Sequence, residues 1–148
     1  MKVKLVIDKE KYESVYKELT DHGIEVSDDA SLVLSENKDK NYLSVKDKRG
    51  ERVMIDSEDV VYIESYGHKV DVHTDKEVYS SQERIYMLEE SLDPRIFIRV
   101  SNSVIIQKKH VTKIRPALSM KFVITMSDGT VIDVTRSYYA SFKLFFGI

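Results

Sequence analysis

Phe97-Ile98-Arg99-Val100-Ser101-Asn102-Ser103-Val104-Ile105-Ile106-Gln107-Lys108-Lys109-His110 sets polar and cationic side chains between two apolar runs. Phe97–Val100 and Val104–Ile106 read as strands, and the polar triplet between them as a turn that presents donors outward. Further along, Thr135-Arg136-Ser137-Tyr138-Tyr139 repeats the arrangement: a strand ends in an arginine followed by hydroxyl-bearing side chains. Both places suit an anionic ligand.

The charge distribution points the same way. Over 148 residues the net charge is −2, but residues 1–40 carry 7 Lys/Arg against 10 Asp/Glu, residues 41–95 carry 8 against 13, and residues 96–148 carry 8 against 2. A cationic final third on a near-neutral chain is the footprint of a polyanion-binding surface, because neutralised phosphates release condensed counterions. The plainer explanation is a solvated face where charges cluster by chance. A hydrophobic content of 42% suffices for a packed core. No apolar run approaches membrane-spanning length, and the start, Met1 to Asp8, lacks the apolar core of a secretory signal, so we expect a soluble, cytoplasmic protein with no membrane contact. With no cysteine, disulfides, thiolate zinc sites and cysteine nucleophiles are excluded.

Working outward from the opening stretch, strand-like runs stand at 42–45, 52–55, 60–64, 69–74, 77–79, 111–114, 121–126 and 130–134, with turn signals at Arg49-Gly50, Gly67, Asp75 and Ser127-Asp128-Gly129. Ile85, Leu88 and Leu92 recur at helical spacing within 82–92, and Pro94 ends that helix. Tyr138, Phe142, Phe145 and Phe146 predict a closing helix over 137–146. At the other end, a strand over 2–7 precedes a helix over 9–22 in which Tyr12, Val15, Tyr16 and Leu19 form the apolar face, Asp8 offers the N-cap and Gly23 the C-terminal stop. Two short strands at 24–26 and 31–34 complete a small β-α-β-β unit. The polar run Glu36-Asn37-Lys38-Asp39-Lys40-Asn41 predicts a linker, dividing the chain into residues 1–40 and 41–148.

Motif-borne catalysis has no support. His22, His68, His73 and His110 are scattered without metal-ligand spacing, and His68 and His73, five apart around a strand, point to opposite faces. Five glycines form no nucleophile elbow, phosphate loop or dinucleotide fingerprint. We expect a non-enzymatic protein with no metal and no cofactor.

Base readout has better support. Arg donates two parallel bonds to guanine, Asn pairs with adenine, and His donates to a purine nitrogen or a phosphate. His68, Asn102 and Arg136 offer one of each at turn positions, as candidate base contacts. Lys69, Ser101, Ser103, Lys108, Lys109, Ser137 and Tyr138 are the phosphate-reaching types around them. Each has an ordinary alternative: Asn102 as a turn former bonding its own backbone, Ser137 as an N-cap, Arg136 as a surface ion-pair partner.

The order of segments Asp59-Val60-Val61-Tyr62-Ile63-Glu64-Ser65, Gly67-His68-Lys69-Val70, a helix, Phe97 to Ile106, His110-Val111, Ser127-Asp128-Gly129 and Val134-Thr135-Arg136 resembles the LytTR family of bacterial DNA-binding domains over roughly residues 43–147. The resemblance implies a mainly β fold with small helices, an elongated arrangement of three small antiparallel sheets, here preceded by the β-α-β-β unit. It implies a transcription regulator whose loops enter successive major grooves of double-stranded DNA, and places the base-reading loops on the Tyr66–Lys69, Ser101–Ser103 and Thr135–Ser137 turns. Two departures bear on sequence preference: Ser101-Asn102-Ser103 where the family often has a His-Arg-Ser-like triplet, and Gln107 where Asn is common. Residues 1–40 are too few for a receiver domain. They can extend the fold, receive a protein partner or, as we favour, make a homodimer contact through an exposed strand edge. The rival from another class is a protein-interaction or ligand-sensing β module on this scaffold without DNA affinity. Single-stranded RNA binding, with Tyr66, Tyr138 and Tyr139 as stacking platforms, ranks last because no cations interleave them.

Overall fold

The structure, a computed structural model, describes residues 1–36 and 42–148. Most of the expected linker, residues 37–41, lies outside the described residues. Two compact units stand on either side of it.

In the first unit, strand β1 (Lys2–Val6) leads into helix α1 (Lys9–Asp21), and strands β2 (Glu25–Val26) and β3 (Leu32–Ser35) both pair parallel to β1, giving the order β2-β1-β3. Gly23, at φ +76, takes the left-handed conformation that ends the helix. Asp8 occupies the N-cap position without a side-chain capping bond, and its N–H donates to Glu36 Oε1 at 2.9 Å. Val3 and Leu5 are buried, yet α1 buries none of its residues, and Leu32, Val33 and Leu34 on edge strand β3 stay 53%, 50% and 40% exposed. This small layer leaves much of its own apolar surface in water.

The second unit holds two antiparallel sheets. Its strands β4 (Tyr42–Lys46), β5 (Arg52–Asp56), β6 (Val60–Tyr66), β7 (Lys69–Thr74), β8 (Val78–Ser81), β9 (Phe97–Arg99) and β10 (Val104–Gln107) form one sheet in the order β5-β4-β8-β7-β6-β10-β9. Strands β11 (Val111–Ala117), β12 (Lys121–Met126) and β13 (Val131–Val134) form the other. The β4–β5 hairpin meets β8 at the single pair Lys46↔Ser80, so what the resemblance describes as separate small sheets is here joined by one bridge into seven strands. The mainly β expectation holds.

Period-2 alternation splits the core in two. Ile63, Val70, Val72, Phe97 and Ile105 on one face of the large sheet pack under helix α2 (Ile85–Ser91) through Ile85, Leu88 and the following Leu92. Val61, Tyr62, Val104 and Ile106 on the other face meet Phe122, Ile124, Met126, Ile132 and Val134 of the small sheet and Phe142 of helix α3 (Tyr139–Phe146). A register shift between Val60 and Tyr62 lets the adjacent Val61 and Tyr62 of β6 face the same core, while Val60 and Ile63 on either side serve the other. The helix expected over 82–92 starts only at Ile85, because Ser81 Oγ accepts from Glu83 N–H at 3.0 Å and holds 81–83 in a side-chain turn. The tail helix likewise begins at Tyr139, after a single 3-10 turn at Arg136–Tyr138.

One buried polar group ties the large sheet to the turn before β6. Gln107 is 2% exposed, and its Nε2 donates towards the carbonyls of Ser57, Glu58 and Val60 at 3.2, 3.0 and 2.7 Å. Gln107 adds a donor where Ser57 O already accepts the Val60 N–H and Glu58 O meets the His110 ring, so the side chain knits this turn to β10.

Candidate nucleic-acid interface

The 101–103 turn connects β9 to β10 and stands at one end of the large sheet. Ser103 accepts from the Ser65 N–H at 2.8 Å, anchoring the turn to the end of β6. On the other side, the Thr135 N–H donates to Val100 O at 3.0 Å, holding the exit of β13 against the same turn. Tyr138 then donates its hydroxyl to Asn102 Oδ1 at 3.2 Å. Hydrogen bonds thus link the Ser101–Ser103 and Thr135–Ser137 turns directly. The tip of the β6–β7 hairpin projects from the same side: Tyr66 pairs with Lys69, leaving Gly67 and His68 as a two-residue connection with Gly67 at φ +60, as tight hairpins require. The tip lies two residues beyond Ser65, roughly 7 Å at strand rise.

His68, Asn102 and Arg136 are all exposed. Arg136 enters no ion pair among the described residues, so its guanidinium is available to an incoming acceptor. Asn102 bonds Tyr138 and not its own backbone, which removes the turn-former alternative and turns its Nδ2 away from Tyr138. Lys69, Ser103 and Ser137 lie at or beside the three turns.

Four other residues are placed differently from the expectation. Ser101 is buried, with its Oγ accepting from the Ser103 N–H at 3.2 Å, so its hydroxyl builds the turn. Lys108 and Lys109 sit in a 3-10 turn at the far end of β10, five residues and roughly 17 Å of strand from Ser103. Lys109 pairs with Glu58 at 3.3 Å, and Lys108 Nζ lies 5.1 Å from the Phe145 ring centre. The structure does not bring this lysine pair together with the turns. Tyr138 is half-buried and engaged by Asn102.

Arg99 is the residue that the sequence reading missed. It belongs to the stretch read as outward-facing donors, but it turns back under the loop. Its Nε donates to Ser101 O at 2.9 Å, Nη2 donates to Asn102 O, and Nη1 meets Glu89 Oε1 of α2 at 3.0 Å. One guanidinium therefore fixes two carbonyls of the recognition turn to the helix behind it. The alternation of Arg99 with Ile98 and Val100 in a short strand was the one available signal, since it assigns Arg99 a face without saying what lies there.

The flanks of the first hairpin are acidic. Tyr66 donates to the Asp71 carboxylate, and this bond raises the tyrosine pKa. Burial raises the Tyr62 pKa as well, and its ring stacks on His73 at 4.1 Å. The remaining histidines have local roles: His22 Nδ1 contacts Glu18 O, and His110 contacts Ser127 Oγ and Glu58 O. Among the described residues no helix is long and apolar enough to cross a membrane.

Comparison with known proteins agrees with this fold. The LytTr DNA-binding domain family matches residues 50–147. The sensory transduction protein LytT of Bacillus anthracis is 32% identical over 91 residues, covering 62% of this chain and 37% of that protein. The transcriptional regulatory protein LytR of Staphylococcus aureus strain N315 is 25% identical over 95 residues, covering 64% of the chain and 39% of LytR. The matched stretch thus spans well under half the length of these relatives. Among solved structures, a LytTr DNA-binding domain from Bacillus cereus superposes with a TM-score of 0.69 at 24% identity, over 74% of this chain and 99% of that one.

Proposed function

This chain belongs to the LytTR family of DNA-binding domains, and from that premise we propose that it is a non-enzymatic, cytoplasmic transcription regulator that reads double-stranded DNA in the major groove through its turns. The observation that carries the reading is the hydrogen-bonded linkage of the Asn102 and Arg136 turns beside the His68 hairpin tip, with an unpaired arginine facing outward. Asn102 and Arg136 specify bases, His68 contributes a base contact from the neighbouring hairpin, and Lys69, Ser103 and Ser137 bind phosphates. No cofactor enters the mechanism.

Selection of bound duplexes from a random pool tests this. A defined site emerges, and Arg136→Ala then binds that site about 5- to 150-fold more weakly, equal to about 1–3 kcal/mol, with preference relaxed at one base position. If Arg136→Ala binds the selected duplex as tightly as the wild type, Arg136 reads no base. If the pool yields no enriched site and duplex DNA is not retained even at low salt, the rival module without DNA affinity is correct.

We further propose that residues 1–36 join two copies of the chain. Leu32, Val33 and Leu34 lie exposed on an edge strand, and the stacked pair Tyr12 and Tyr16 on α1 is 37% and 44% exposed. A second copy pairing along β3 would cover this surface and place two recognition units on one DNA. Light scattering on the whole protein is expected to give a dimer, and Leu34→Lys a monomer; a monomeric wild type rules the dimer out and leaves the surface to another protein.

A further inference from the structure

The eight cations of residues 96–148 divide by what they touch. Arg99 and Lys109 pair with carboxylates, and Lys108 and Lys143 lie over aromatic rings. Lys113, Arg115, Lys121 and Arg136 have neither kind of partner among the described residues. These four all belong to the three-stranded sheet or its exit, and all are exposed.

Register places Lys121 and Arg136 at the recognition end and sets the other two along β11 leading away from it, Arg115 opposite Val123 and Lys113 opposite Thr125. Phe122 pairs with both Pro116 and Val134, so the β11–β12 hairpin tip and the Thr135–Ser137 turn leave the sheet on the same side. Lys121 is one residue outward from Phe122, as Thr135 is from Val134. Lys113 and Arg115 alternate with the inward-facing Ile114 and share the outer face with Val123 and Thr125, their partners on β12. Asp133 stands on this face too, across Val123 from Arg115, and makes no ion pair among the described residues. Asp128, the other acid of this region, caps its own turn by accepting from the Thr130 N–H at 2.9 Å.

The hairpin tip is held in a costly shape. Ser119 and Met120 both have left-handed φ, +65 and +56, without being glycine, and Leu118 is 89% exposed. Non-glycine residues in that region persist where surrounding structure enforces them, and they cluster at ligand clamps. Edge strand β11 stands two strand spacings from β13, about 10 Å, or about three base pairs at 3.4 Å each.

We infer that the β11–β12 hairpin is a fourth DNA-contacting element, in which Lys113, Arg115 and Lys121 neutralise backbone phosphates flanking the base pair met by Arg136. This rests on the DNA-reading assignment of the Arg136 turn and moves the phosphate footprint from Lys108 and Lys109 to the outer face and tip of the three-stranded sheet.

The test uses the whole protein, a fluorescently labelled duplex of about 30 base pairs and arbitrary sequence, and a salt series, with the slope of log affinity against log salt as readout. Each phosphate contact contributes about 0.9 to that slope. The triple variant Lys113→Gln, Arg115→Gln, Lys121→Gln is expected to flatten it by about 2.7, while Lys108→Gln with Lys109→Gln leaves it within about 0.5 of the wild type. The three sites are exposed and unpaired, and replacing each with the other cation, Lys113→Arg, Arg115→Lys, Lys121→Arg, should retain the wild-type slope, separating charge from folding. If the wild type binds duplex and the glutamine triple variant keeps its slope, the hairpin lies off the DNA and the inference fails while the proposed function stands. Loss of binding to anionic phospholipid vesicles, with the DNA slope unchanged, overturns the inference in favour of a lipid surface. A wild type that binds no duplex overturns both.

Discussion

Phe142→Ala is expected to cost the second unit about 3–5 kcal/mol of stability, the range found when a fully buried aromatic ring is removed from a core that relaxes only partly. Phe142 has no exposure and sits where the closing helix meets both sheets: its ring centre lies 5.1 Å from Phe122 and 4.6 Å from Phe146, and Phe122 also stacks on Tyr139 at 4.9 Å. Truncating it opens a cavity at the centre of that aromatic group. In urea, with a slope of about 1–3 kcal/mol per molar, the unfolding midpoint of the second unit should fall by roughly 2 M. The interface should suffer as well. The 3-10 turn that carries Arg136 runs straight into α3, so a loosened helix releases the Tyr138–Asn102 bond. A midpoint shift below about 0.5 M would mean that Phe142 is not the keystone of this core.

Arg99→Ala is the second large effect, expected to remove about 1.5–3 kcal/mol of stability and to weaken DNA binding beyond that loss, although Arg99 does not itself face outward. Its side chain is 14% exposed, and deletion leaves the Ser101 and Asn102 carbonyls without the donors that hold the turn. Lysine should not rescue it, because a single ammonium cannot serve two carbonyls and the Glu89 carboxylate in a fixed planar fork. Without that fork the turn keeps its bonds from the Ser65 N–H and the Tyr138 hydroxyl but loses its tie to α2, so Asn102 is held less firmly. Binding titrations at a temperature where both proteins are folded measure this. Wild-type affinity in Arg99→Ala would show that the turn needs no support from α2.

Much of the fold was legible because its signals are local. Alternation located β7 and β12 to the residue, Gly23 closed α1, and the tail phenylalanines announced α3. Strand β11 outran its expectation, continuing past Ile114 to Ala117 through Pro116. A missing N–H is tolerated there because β11 is an edge strand, and edge position is a property of the assembled sheet. At the candidate interface, what was legible is that Asn102 and Arg136 stand exposed at turns; that they meet bases is the proposal. Ser101, which bonds Ser103 two residues on, was not legible, and Arg99, Lys108 and Lys109 were not for a shared reason. A basic or hydroxylated side chain reads as outward-facing until its partner is known, and the partners Glu89, Phe145 and Glu58 lie between 10 and 51 residues away. Gln107 shows the same gap, since the carbonyls it serves lie 47 to 50 residues earlier.

The central claim is that the 67–69, 101–103 and 135–137 turns form one DNA-facing surface, and backbone-amide chemical-shift mapping tests it most directly. On titrating the selected duplex into isotope-labelled protein, the amides of all three turns should move together with a single saturation curve, while those around Lys108 and Lys109 stay in place. Shifts confined to one turn, or centred on the far end of β10, would contradict it.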